Sequence, residues 1–238
     1  NFIPEYSAEQ LWFVLNPETT EKLWKETDAG KKVIAAEQDK LKLKIVGWIP
    51  LGPNAVFSRS PITKLEDFKG KKARYLSKPA VPFYSALGMT YVSVPTEEVY
   101  TALQNGMIDV LTTSAQPMKN SSWWDYAKYG VLPYLGWYTG QVAFNADWWA
   151  ALPKDLQDKV LAVGQDITKE AFDAVLADAT AFYGEFKAKG GTVTTLSAEE
   201  VGRIQLQLSE QGAFEEIKGQ IGADLWQAIR QVSGTKMK

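Results

Sequence analysis

Between residues 73 and 113 the chain reads strand, helix, strand, helix, strand, and no other feature restricts its fold as much. The first strand holds Ala73, Arg74 and Tyr75. A helical pattern follows from Pro79 to Leu87 and closes at Gly88, a residue suited to the left-handed turn after a helix. TYVSV (residues 90–94) reads as the second strand. Thr96-Glu97-Glu98 then supplies a threonine N-cap with acids in the first turn, and Asn105-Gly106 ends that helix before the strand MIDVLTT. Strands joined by crossover helices lie parallel, and ligands of such sheets sit beyond the carboxyl ends of the strands. The pattern therefore predicts an α/β fold with Ser77, Thr96 and Thr112 at those ends. Each of the three is also an ordinary turn or cap residue.

On either side of this unit the periodicity continues to alternate. Residues 8–14, 18–27 and 30–40 read as helices, and LKLKIVGWI (residues 41–49) as a strand. Pro50, Gly52, Pro53 and Asn54 break that strand and mark a crossing between domains, with VFSRSPI a further strand. Residues 121–129 are predicted helical, and residues 131–145 extended with a break near Gly136 or Gly140. Asn145 is placed to cap a short helix begun by Asp147-Trp148-Trp149. Leu156, Val160, Val163, Ile167, Ala171, Ala174, Phe182 and Phe186 recur at helical spacing as far as Gly190-Gly191, which predicts one helix long enough to span two lobes. A short strand (residues 192–196), a capping box at Ser197-Ala198-Glu199-Glu200 and a last helix (residues 213–232) complete the reading.

Composition removes much chemistry. The 238 residues include neither His nor Cys, which excludes thiol nucleophiles, disulfides, thiolate metal sites and the usual serine triad. A net charge of -2 offers no basic footprint for nucleic acid. Phosphate loops, dinucleotide fingerprints and EF-hand loops are absent and oxygen ligands are not clustered, so neither cofactor nor metal is expected. Glu97, Glu98, Asp155 and Glu199 sit at helix starts, and no spacing selects a carboxylate pair for glycoside hydrolysis. A binding protein is the first reading and a carboxylate-based hydrolase, such as a glycosidase, the alternative.

Arg74, in EDFKGKKARYLS (residues 66–77), gives binding a chemistry. Strand alternation turns its guanidinium away from the side taken by Ala73 and Tyr75. An arginine held by a strand can grip a carboxylate with two parallel hydrogen bonds. The spacing also allows a surface ion pair with Glu66 or Asp67, the simpler reading on spacing alone, and both readings stay open.

Four segments taken together resemble the solute-binding proteins of tripartite ATP-independent periplasmic (TRAP) transporters, of the dicarboxylate-binding type. They are PITKLEDFKGKKARY, VPTEEVYTALQNGMIDV, the FN–WW–LPKDLQ run (residues 144–157) and the long helix ending AKGGTV, in matching order from about Leu41 to the C-terminus. The resemblance implies a two-lobe periplasmic binding protein-like fold with a long lobe-spanning helix. It implies a monomeric, non-enzymatic periplasmic protein that captures a small organic acid and delivers it to TRAP membrane permease subunits. A sensor-associated binding protein of the same fold is the variant reading. Arg74 falls where the family places the arginine that holds the ligand carboxylate, and Asn145 where it keeps an asparagine reaching the same group. Ser77 and Thr96 match cleft-lining positions, and Trp137 lies in a segment that supplies an aromatic wall. After Asp109 many members continue with glycine and soon glutamate, whereas this chain has Val110-Leu111-Thr112-Thr113, which implies a less polar or differently charged solute. The lobes are expected at residues 1–51 with 171–205, and at residues 52–170 with 206–238. The N-terminal part of the first lobe is expected to be missing.

Overall fold

A computed structural model of the chain describes residues 3–235. A 3-10 turn, Pro4–Gln10, leads to α1 (Pro17–Lys25) and α2 (Asp28–Leu41). Asn16 and Thr19 cap α1 reciprocally, and Thr27 Oγ1 accepts from Gly30 N at 3.0 Å to start α2. The helix predicted over residues 8–14 is absent: beyond the 3-10 turn, Leu11, Trp12, Phe13 and Val14 are all buried and Phe13 turns left-handed at φ 64°. Apolar residues enclosed on every side gain nothing from a one-sided helical stripe.

β1 (Leu43–Ser58) runs straight through the predicted breakers and absorbs the VFS segment. Pro50, Pro53 and Asn54 shift its register against β5 (Tyr129–Asn145) without ending it. Such shifts release backbone groups from the ladder, which is where a strand tolerates proline. β2 (Lys72–Arg74), β3 (Thr90–Val92) and β4 (Val110–Thr113) alternate with α3 (Val81–Ala86) and α4 (Val99–Gln104), and β2 is parallel to both β3 and β4. This is the topology that the alternation predicts. After β4 come α5 (Ala115–Asn120) and a 3-10 turn at Trp123–Asp125; the helix expected over residues 121–129 is not formed, because the backbone turns left-handed at Ser122 and only the short 3-10 turn follows. α6 (Ala146–Ala151), α7 (Lys154–Ala188), β6 (Thr192–Thr195), α8 (Ala198–Glu210) and α9 (Glu215–Ser233) complete a sheet of order β3-β2-β4-β1-β5-β6.

The two sheet faces bury separate apolar clusters. Val56, Ala73, Val110 and Val131 turn to one, with Trp12, Phe83, Tyr84 and Ile229. Ala55, Phe57 and Leu111 turn to the other, with Val99, Trp123, Phe182 and Phe186. Each such aromatic contributes about 1.5–3 kcal/mol by leaving water. α7 lies along the length of β1, from Gly164 on Val46 to Phe186 on Phe57. A Cβ at residue 164 would stand 2.0 Å from the Val46 carbonyl oxygen, so the close approach at this end of the helix requires glycine. This is the long helix of the two-lobe fold.

The C-terminal segment after α7 returns to the sheet. Thr192–Thr195 pair with residues 129–132, and Glu200 Oε2 accepts from Leu65 N at 3.0 Å. Residues 192–205 are thus tied to the segment that carries Arg74. Periodicity shows that a helix is long but not which strands its C-terminal neighbours join.

Candidate functional site

Arg74 ends β2, and the backbone around it is fixed on both edges. Lys72 N donates to Asp109 Oδ2 at 3.0 Å, Tyr75 N to Val92 O at 2.8 Å, and the Tyr84 hydroxyl to Arg74 O at 2.9 Å. With Ala73 buried in one cluster, alternation sends the guanidinium to the opposite face, where its Cζ lies 5.7 Å from the centre of the Trp123 ring. Nε donates to Val94 O at 3.1 Å and Nη2 to Thr96 Oγ1 at 2.9 Å. These bonds use the side edge of the fork. The end-on edge, Nη1 with the second Nη2 hydrogen, has no partner among the described residues, and no carboxylate pairs with Arg74 there.

The surface ion pair that spacing left open is not formed. Glu66 pairs with Arg203, and Asp67 accepts from Thr63 and from the backbone of Lys64. Half-burial lowers the Arg74 pKa from its ordinary value, yet a guanidinium keeps its charge throughout the physiological range. Among the described residues no carboxylate is ion-paired with this cation, although it feels the charge of Glu97, and its free end-on edge suits an anion with two acceptor oxygens.

Thr96 is exposed and does not cap its turn: Pro95 takes the cap position, and the threonine hydroxyl accepts from Arg74 instead. Ser77 Oγ donates to Gln10 Oε1 at 3.0 Å, which fastens the end of the Arg74 segment to the N-terminal 3-10 turn. Thr112 pairs with Val56 and is buried on the face opposite Arg74. Its neighbour Thr113 pairs with Ala55 and shares the guanidinium's face. The parity of MIDVLTT held the signal for Thr113, and Trp123 had none beyond its composition.

Among the described residues no hydrogen bond or ring contact joins Trp137 or Asn145 to the guanidinium. Trp137 is fully buried opposite Pro53, with its ring 5.6 Å from Phe172 of α7. The ring that meets Arg74 is Trp123. Asn145 stands opposite Leu43 and accepts from Asp147 N and Trp148 N at 3.0 Å each, which is the capping role its sequence context predicts. From Leu43 to Val56, the β1 partner of Thr112, the strand spans roughly 40 Å. The structure therefore does not bring Asn145 to the anchor.

Residues 1–212 match the family described as bacterial extracellular solute-binding protein, family 7. The ectoine-binding periplasmic protein TeaA of Halomonas elongata is 29% identical over 198 residues, which cover 77% of this chain and 55% of that relative. The chain spans about half the length of the relatives it matches. The structure of TeaA in its apo state superposes with a TM-score of 0.84 at 21% identity, covering 98% of this chain and 76% of that one. DctP7 of Bordetella pertussis, an extracytoplasmic solute receptor binding pyroglutamic acid, superposes at 0.77 with 23% identity, covering 98% and 75%.

Proposed function

Because the chain belongs to the bacterial extracellular solute-binding proteins of family 7, we propose that it captures a small organic acid through Arg74 and delivers it to a TRAP membrane permease. On this reading it works in the periplasm as a monomer. The observation that carries it is the end-on edge of the Arg74 guanidinium, charged, half-buried and without an ion-paired carboxylate among the described residues. A carboxylate docked there makes two charge-assisted bonds, while Val94 O and Thr96 hold the fork in plane. Pre-positioning of this kind reduces the ordering cost of binding. Contacts from both lobes to the same solute would favour the closed form, and closure follows only from such differential contact.

The likeness to proteins named for ectoine and for pyroglutamic acid supports a compact, carboxylate-bearing solute. The test is calorimetric binding of pyroglutamate to the chain and to Arg74→Ala. The reading requires binding by the first and its loss in the second. Arg74→Lys restores little, since an ammonium cannot reproduce the fork. Unchanged affinity in Arg74→Ala would sink the anchor, and recovery of a chemically altered acid would replace a binder with an enzyme.

A further inference from the structure

Past Gly140, β5 presents an edge that no other strand joins among the described residues. β6 pairs only with residues 129–132, and β1 lies along the other side of residues 139–145. In an antiparallel pair, residues turn their N–H and C=O alternately toward the partner and outward. Ile45 N turns out of the ladder to Gln38 Oε1 at 2.9 Å, and Trp48 N to Thr168 Oγ1 at 2.8 Å. The residues opposite them, Ala143 and Gln141, therefore turn their own amides and carbonyls outward as well. Thr139, the preceding member of this series, gives its N–H to Glu9 Oε2 at 3.0 Å. No bond to the outward groups of Gln141 and Ala143 is made among the described residues. Side chains thus close the outer edge of β1 and leave that of β5 open. Residues 139–145, TGQVAFN, also lack the charges and proline that protect an edge strand.

The two faces beside this edge differ in chemistry. Val142 stands opposite Gly47, where a Cβ would lie 2.9 Å from the Gly164 carbonyl oxygen, so this face is the one that α7 covers. Thr168 marks the flank of α7 turned to the outer edge of β1. Helical spacing sends Leu156, Val163 and Ile167 to the opposite flank, on the β5 side, where they are 41%, 54% and 46% exposed. The other face carries a cavity of about 220 Å³ lined by Thr139 and Gln141 with Tyr6, Glu9 and Glu37. Buried Glu37 accepts from the Tyr6 hydroxyl at 2.6 Å and Gln141 Nε2 at 2.8 Å, and buried Glu9 from Trp24 Nε1 at 2.9 Å. No ion pair brings a cation to either carboxylate among the described residues.

We propose that the β5 edge at Gln141 and Ala143 takes an extended strand of a partner polypeptide, with apolar side chains toward α7 and a lysine or arginine toward Glu37. Donors and acceptors that recur at every second residue along an open edge are met by another strand. A helix cannot meet them, because its backbone groups are spent within itself. Strand alternation then turns one set of the partner's side chains to Leu156, Val163 and Ile167 and the other set to the cavity. There a basic side chain supplies the charge that the neutral donors around Glu37 do not. The added strand also widens to three a part of the sheet in which β1 and β5 stand as a pair, and a lone pair of strands is marginal in water. This surface is separate from the Arg74 anchor, and the two are tested independently.

The probe is a short peptide of alternating lysine and valine, blocked at both ends and labelled for fluorescence anisotropy. The unmodified chain should bind it. Methylating the backbone nitrogens of either the lysines or the valines keeps every side chain and charge, and one of these two forms should bind about tenfold more weakly. Ala143→Pro removes an outward N–H without touching the β1 ladder and should weaken binding to the same degree at an unchanged melting temperature. Glu37→Gln provides a second variant that leaves the backbone alone. It should weaken binding of the lysine peptide about tenfold and leave a serine–valine peptide unaffected. No binding of the lysine peptide, equal binding of both methylated forms, or equal binding by Glu37→Gln overturns the proposal. A dimer in analytical ultracentrifugation that Ala143→Pro dissociates would give the edge to a second copy of this chain and overturn it as well.

Discussion

Arg74 Nη2 donates to Thr96 Oγ1 at 2.9 Å, across from the end of β2 to the turn that follows β3. This bond makes Thr96 a support for the guanidinium and not a helix cap. Thr96→Val removes the acceptor while keeping the side-chain shape. It should weaken acid binding by about 1 kcal/mol, roughly fivefold, and leave the melting temperature nearly unchanged because the residue is exposed. Calorimetry and thermal denaturation of the same variant separate the two effects.

Thr112 and Thr113 are consecutive in β4 but turn to opposite faces, Thr112 with the Val56 cluster and Thr113 with the side that holds Arg74. Thr113→Val is therefore expected to lower solute affinity, and Thr112→Val to leave it unchanged. Binding measured on the pair decides the matter; an affinity loss confined to Thr112→Val would reverse the assignment of faces.

Asn145→Ala removes the acceptor for the amide hydrogens of Asp147 and Trp148. A lost N-cap costs about 1 kcal/mol of stability. Solute affinity should not change, since the residue stands near the far end of β1 from the anchor. Urea denaturation alongside calorimetry checks both halves. An asparagine that reached the solute would instead show its effect in affinity.

The titration of Glu9 predicts a slope of stability with pH. Its pKa in the fold, about 7, lies above the ordinary value of 4.5, so between these pH values the folded chain holds a proton that the unfolded chain has released. Stability from this group is therefore full below about pH 4.5 and falls as pH rises toward 7, by an amount on the order of 3 kcal/mol. Urea denaturation across this window should show the decline in the unmodified chain and a flatter profile in Glu9→Gln. A matching slope in both would assign the pH dependence to other groups.

The parallel unit, the long helix and the Asn145 cap were legible in the sequence because each rests on local periodicity or on a side chain bonding its own backbone a few residues away. The sequence also marked Arg74 as an arginine held on a strand. It could not show whether Glu66, Asp67 or nothing neutralises that charge, since Arg203 reaches Glu66 from α8, far along the chain. Continuation of β1 through its prolines was likewise hidden, because β5 absorbs them by shifting register. Glu9 carried no local sign at all: Thr139 and Trp24 approach it from distant segments and enclose it. Local bonding fixes which elements form, whereas solvent exclusion and charge compensation depend on which remote groups arrive, and only the packed chain decides that.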